Sequence, residues 1–258
     1  MLFRSSRDAL TTFIEAVRAG DPSELAAILG PGSEQMVASS DSVADKTARE
    51  AFLKWYNEGH SLVPSHNGEL TLEVGKSNWP LPIPLAYKGG RWYWDGQAGK
   101  DEILYRRIGH NELAAISVCK GIVAAQHDYA ASAHDGKPAG SYAARIVSEP
   151  GRQNGLYWEV KEGEPQSPAG PMIADAADEG YDTSGHRTPY HGYYYRMLPS
   201  ASGFGFVAYP ADYRSSGVMT FLVGQKGVIY QKDLGDKTAD IAEHMASYDP
   251  DKTWRVVK

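Results

Sequence analysis

The stretch covering residues 92–131, WYWDGQAGKDEILYRRIGHNELAAISVCKGIVAAQHDYAA, constrains the fold more than any other. It closes a strand-forming region and opens a helical one, and it holds the densest mix of acidic, basic and aromatic groups in the chain. Gly96-Gln97-Ala98-Gly99 reads as a glycine-bounded link. Residues 101–108 then form a short helix stopped at Gly109. Asn111 is a good N-cap for the next helix, with Glu112 favourable at its positive end. That helix runs to about Ala131, with Leu113, Ile116, Val123 and Tyr129 on one side. The stretch therefore divides the chain into residues 1–96 and 97–258.

Upstream, Ser5 and Ser6 followed by Asp8 mark a helix start, and Leu10, Phe13, Ile14 and Val17 give it one apolar face. Gly20 ends it. Asp21-Pro22 starts a second helix, with Leu25, Ile28 and Leu29 inward, and Gly30-Pro31-Gly32 stops it. A third, over residues 43–58, turns Phe52, Leu53, Trp55 and Tyr56 inward. The period then changes to two: Leu70, Leu72 and Val74 alternate with Glu69, Thr71 and Glu73, the mark of a half-buried strand. Pro80, Pro82 and Pro84 belong at an edge or entry. Lys88-Gly89-Gly90 is a turn, and residues 91–95 form the return strand of a hairpin.

Downstream, residues 136–188 are rich in Gly, Pro, Asp and Ser and read as long loops with short extended pieces, a length that signals function, disorder or concealed elements. Residues 189–198, 204–209, 218–223 and 228–232 read as strands of an antiparallel meander, and residues 239–247 as a last helix. The expected class is α+β: N-terminal helices with a small antiparallel meander, then a long helix packed on a second antiparallel sheet.

Composition narrows the function. A net charge of −6 over 258 residues, with no basic run beyond Arg106-Arg107, argues against nucleic-acid binding. No apolar run is long enough for a transmembrane segment. The first residues, MLFRSSRDAL, lack the apolar core of an export signal, so either the protein is cytoplasmic or a mature end has received a Met. The one cysteine, Cys119, sits among Ile116, Val118 and Ile122 and reads as a small buried hydrophobe. There is no H-E-x-x-H, C-x-x-C, G-x-S-x-G, P-loop or dinucleotide-binding glycine fingerprint. No metal site and no cofactor is expected.

Four runs carry a resemblance: FRSSRDAL with IEAVRAGD and LGP; WYWDGQAGKDEILYRRIGHNEL; GLYW with SPAGP; and GFGFVAYPADYRSSGVMTFLVGQKGVIYQKDLG with YDPDKTW. Together they resemble the bacterial domain-of-unknown-function 2950 family over nearly the whole chain. The resemblance implies a secreted or periplasmic protein and assigns no activity. The second half is also similar to the globular heads of type IV pilin-like proteins, in the helix ending AAQHDY followed by GFGFVAYP, GVMTFLV and GVIYQK. That likeness implies a helix on an antiparallel sheet; without the apolar N-terminal spine it implies no filament.

The candidate ligand-binding residues are Glu102, Arg106, Arg107, Asn111, Glu112, Tyr193, Tyr195 and Tyr213. Glu102 and Arg106 are i, i+4 neighbours, either a structural ion pair or part of an anion site in which Arg106 or Arg107 grips a carboxylate or phosphate near the amino end of the Asn111 helix. In PYHGYYYRML, Tyr193 and Tyr195 point one way and Tyr190 and Tyr194 the other, so one pair packs inward and the other is free for a partner. Tyr213 begins a turn or binding loop, YRSSG. His186 and His191 follow Asp175, Asp178, Glu179 and Asp182, either a solvated acidic loop or a calcium-type site. The leading expectation is a non-enzymatic bacterial envelope protein that binds an envelope partner or small anionic ligand. The alternatives are an enzyme built around Glu102 and Arg106, or a cation-binding surface module.

Overall fold

The computed structural model describes residues 1–65, 68–161, 163–183, 188–201 and 203–258. The chain forms two units, Met1–Arg107 and Ile108–Lys258, and is α+β in class, with helices and two antiparallel sheets.

In the first unit, α1 spans Ser6–Ala19; the Ser5 hydroxyl accepts the Asp8 N–H, and Gly20 closes the helix in a left-handed conformation at φ 68°. Asp21 caps α2, Pro22–Leu29, through the N–H groups of Ser23 and Glu24, with Pro22 in the first turn. A short α3, Glu34–Val37, precedes α4, Ser42–Glu58. Phe52, Leu53 and Tyr56 pack against the core. Trp55 does not: it is 40% exposed, because it falls at the margin of the face those three define.

The sheet comprises β1 His60–Pro64, β2 Leu70–Val74, β3 Trp79–Pro80, β4 Leu85–Lys88 and β5 Arg91–Trp94. The order is β1-β2-β4-β5, with β3 alongside β2. Leu72 and Val74 are buried, as the alternation requires, and the proline-rich segment contributes only the two-residue β3. Gly89 and Gly90, both at positive φ, make the tight hairpin turn. Trp94 anchors this core: its ring lies 4.8 Å from that of Phe13, and its Nε1–H donates to the Ala9 carbonyl at 3.0 Å.

Helix α5 runs without a break over Gly96–Ala130, and here three sequence expectations fail. Gly96–Gly99 is not a link, Gly109 does not stop a helix, and Asn111 does not cap one. The glycines have another reason. A Cβ on Gly96 would lie 2.6 Å from the Leu29 carbonyl oxygen, and one on Gly99 would lie 2.7 Å from Ile83 Cγ1. Gly here permits close approach of backbone to backbone, not freedom of motion.

In the second unit α5 buries Asn111, Ala115, Cys119, Ile122, Gln126 and Tyr129, a continuous i, i+3/i+4 stripe. Of the expected face, Tyr129 is buried and Ile116 and Val123 pack against the same core, but Leu113 is 70% exposed. Two polar residues, Asn111 and Gln126, sit on the buried face and disguise it. Gln126 is satisfied there by exchanging two 2.9 Å hydrogen bonds with the main chain of Ala143.

The region read as loops contains α6, Gly170–Asp178, and a parallel bridge between Val147 and Tyr157. Strands β6 Tyr193–Leu198, β7 Gly205–Pro210, β8 Met219–Gly224, β9 Ile229–Asp233 and β10 Arg255–Val256 form an antiparallel sheet in the order β10-β9-β8-β7-β6. Every residue of β7 is buried, since both sheet faces are covered. Phe206, Ala208, Phe221 and Val223 share one core with α5; Val207, Tyr209 and Leu222 share another with α7, Thr238–Glu243, and the following Met245, Tyr248 and Trp254. No helix among the described residues is long and apolar enough to cross a membrane.

Candidate functional site

The charged candidates in the first unit are engaged with their own unit. Arg106 Nε donates to Glu102 Oε1 at 2.7 Å, and its guanidinium lies 4.8 Å from the Trp79 ring centroid. Both members of that pair are well exposed. Arg107 donates to the carbonyls of Gln35 and Met36, each at 2.7 Å, where α3 leaves carbonyls without helical partners. No helix amino terminus exists at Asn111 for an anion to occupy, because α5 continues through it.

Three candidates are brought together in the second unit. Asn111 Nδ2 donates to the Ser216 carbonyl at 2.9 Å; Glu112 Oε1 accepts the N–H groups of Val218 and Met219 at 3.0 and 2.9 Å. The hydroxyl of Tyr193 donates to the Met219 carbonyl at 2.9 Å. These groups pin α5 to the turn that leads into β8. Tyr193 is fully buried, and burial raises its phenol well above the ordinary value, with Glu112 and Cys119 adding to the effect. Tyr213 is elsewhere, donating to Asp233 Oδ2 at 3.2 Å under the Arg214 guanidinium.

Of the candidates, Tyr195 borders a hollow in the second unit. It lines a cavity of about 630 Å³. Val118 and Ile122 of α5 and Phe206 of β7 form one wall, Met172, Ile173 and Ala176 of α6 a second, and Tyr194 and Arg196 of β6 reach it from the other side of the strand. Ile146 and Tyr190 add to the apolar lining, and Asp182, Glu243 and His244 are among its polar residues. The volume falls within the range of small-ligand sites, and the mostly apolar lining with few polar groups fits that class.

Two tyrosines of this cavity, Tyr190 and Tyr195, have raised phenols. Burial pushes Tyr190 up to about 12, helped by the charges of Glu179 and Asp175. Burial also raises Tyr195, whose hydroxyl donates to the Tyr190 carbonyl at 3.1 Å. Neither is poised as a base near neutral pH. Arg196 Nη2 donates to the carbonyls of Ala242 and Met245, closing the end of α7. Its Nε is buried with no hydrogen-bond partner among the described residues.

His191 contacts Glu179 at 3.2 Å through Nε2. His191 and Gly192, at φ 49° and 71°, form a tight turn closed by the Tyr193 N–H on the Tyr190 carbonyl. That turn is why β6 begins at Tyr193 and not at residue 189, and why Tyr190 does not continue the alternation of Tyr194. His186 lies outside the described residues. Among the described residues, no group of three or more His, Cys, Asp or Glu is placed to hold a metal ion.

Sequence reasoning missed Ile146, Met172, Ile173 and Ala176. The signal for the last three was present: Gly170-Pro171 is a helix start, and Met172, Ile173 and Ala176 fall at i, i+1, i+4 behind it.

Fold and site together define an α+β protein with a ligand-sized, tyrosine-lined cavity at the edge of its second sheet. The chain belongs to the family described as protein of unknown function (DUF2950), the match covering residues 1–257. No curated protein and no solved structure matches it.

Proposed function

We propose that this is a binding protein of the bacterial envelope, acting without catalysis, and that its ligand occupies the cavity beside β6. The observation that carries the reading is the cavity itself, about 630 Å³ in volume and walled by Ile122, Met172, Phe206 and Tyr195. Burial raises the phenols of Tyr190 and Tyr195, which favours recognition over acid–base chemistry. The alternative of an enzyme around Glu102 and Arg106 has less support, because those two groups are bonded to each other on an exposed helix face.

Anilinonaphthalene sulfonate fluorescence tests the cavity. The dye is expected to bind the native protein, and Ile173→Trp, which fills the chamber from α6, to abolish binding while the circular dichroism spectrum is kept. Equal binding to both proteins would refute the assignment. Placement outside the cytoplasm rests on the family resemblance; fractionation of cells expressing the native gene tests it, and a wholly cytoplasmic protein would overturn it.

A further inference from the structure

We infer that the ligand of this cavity is an extended peptide segment, held as an added strand on β6; this rests on the binding reading above and specifies its substrate class. The argument comes from main-chain chemistry. Among the described residues β6 is the last strand of its sheet, and β7 is the one named strand paired with it. An antiparallel strand directs the main-chain groups of alternate residues to opposite edges. The phase is fixed by three contacts. Pro210, opposite Tyr193, has no N–H; the Ala211 N–H donates to the Gly192 carbonyl; and Tyr193 exchanges its own N–H and C=O with Tyr190, away from β7. Tyr195 and Met197 therefore present their N–H and C=O groups on the free edge too. No protein partner for these groups occurs among the described residues.

The cavity lies along this edge and reaches both faces of the strand, since Tyr195 lines it from one side and Tyr194 and Arg196 from the other. A compact apolar molecule needs only the first wall. A polypeptide uses everything present: its amides continue the sheet ladder, and its alternate side chains divide between two environments. Those on the α5 side meet Ile122, Met172 and Phe206; those on the other side meet Tyr194, Arg196 and His244. The segment that fits is four to six residues in rough estimate, apolar at every second position. Helix α6 also lines the cavity, through Met172, Ile173 and Ala176.

The test uses the full chain and a displayed library of random heptapeptides, followed by synthesis of the enriched sequences as capped peptides. The expected result is enrichment of alternating apolar sequences that bind wild type and not Ile173→Trp. N-methylation of the amides in one register is expected to weaken binding about fivefold per methyl, and in the other register to leave it unchanged. Met197→Pro removes an N–H from the outer edge without touching the β7 ladder and is expected to weaken the peptide while leaving dye binding intact. Dye binding without peptide enrichment, or equal loss from both methylation registers, would overturn the strand-addition proposal and leave the cavity reading standing. Displacement of the dye by laurate but by no peptide would do the same in favour of a lipid. Failure of the dye to bind at all would sink both.

Discussion

Replacing Gly99 by Ala and Gly109 by Ala tests the unbroken helix and the reason for its glycines. Both positions lie in α5, where Ala is favoured over Gly by about 1 kcal/mol. At Gly109 a Cβ meets nothing within 4 Å, so Gly109→Ala is expected to stabilise the protein by roughly 0.5–1 kcal/mol. At Gly99 the same atom lies 2.7 Å from Ile83 Cγ1, 2.9 Å from Ile83 Cα and 2.9 Å from the Pro82 carbonyl oxygen. Two of those three atoms are main chain and cannot swing aside, so overpacking costs about 2–3 kcal/mol. After the helix gain, Gly99→Ala is expected to lose about 1–2 kcal/mol.

Urea unfolding followed by circular dichroism and tryptophan fluorescence reads both variants against wild type. Four of the six tryptophans (Trp55, Trp79, Trp92 and Trp94) report on the first unit. With a slope of about 1.5 kcal/mol per molar urea, the two midpoints should shift in opposite directions and differ by about 1 M or more. A Gly99→Ala variant as stable as Gly109→Ala would mean that residues 96–99 are an exposed, compliant link, and the packing argument would fail.

Glu112→Ala leaves the N–H groups of Val218 and Met219 without their acceptor and is expected to cost about 2–3 kcal/mol, whereas Glu112→Gln, which keeps an oxygen in place, costs about 1; a loss below about 0.5 kcal/mol for the alanine variant in urea would show that the pair is not a staple. Alkaline titration should find late-ionising phenols: burial raises Tyr190 from 10.0 to about 12, and Tyr195 rises with it. Because the folded value lies above the unfolded one, the stabilisation is complete below about pH 10 and is lost as pH climbs towards 12. Phenolate absorbance rising as a single step at the ordinary tyrosine value in the folded protein would contradict this. The Cys119 thiol, pushed up to about 12 by burial, should resist iodoacetamide in the native state and react in urea.

Local chemistry sufficed for much of the fold. The caps Ser5 and Asp21, the alternation of Leu70, Leu72 and Val74, the Gly89-Gly90 turn and the meander from β7 to β9 are each set by residues close in sequence, so each was legible there. What could not be read locally depended on distant partners. Gly96 and Gly99 carry the composition of a link, and only the approach of Leu29, Pro82 and Ile83 turns them into helix. Asn111 and Gln126 look like surface residues; they are interior because Ser216 and Ala143 satisfy them.

The candidate site divides in the same way. The tyrosines of β6 stood out by residue type, yet Tyr193 is sealed in the core and Tyr195 opens on the cavity, a distinction made by what packs above each. Hydrogen bonds within a turn and hydrophobic periodicity are short-range quantities, and this sequence determines them by itself. Close backbone approach, the satisfaction of a buried amide and the hollow between β6, α5 and α6 require atoms far apart in the chain to meet, and the tertiary structure alone decides them.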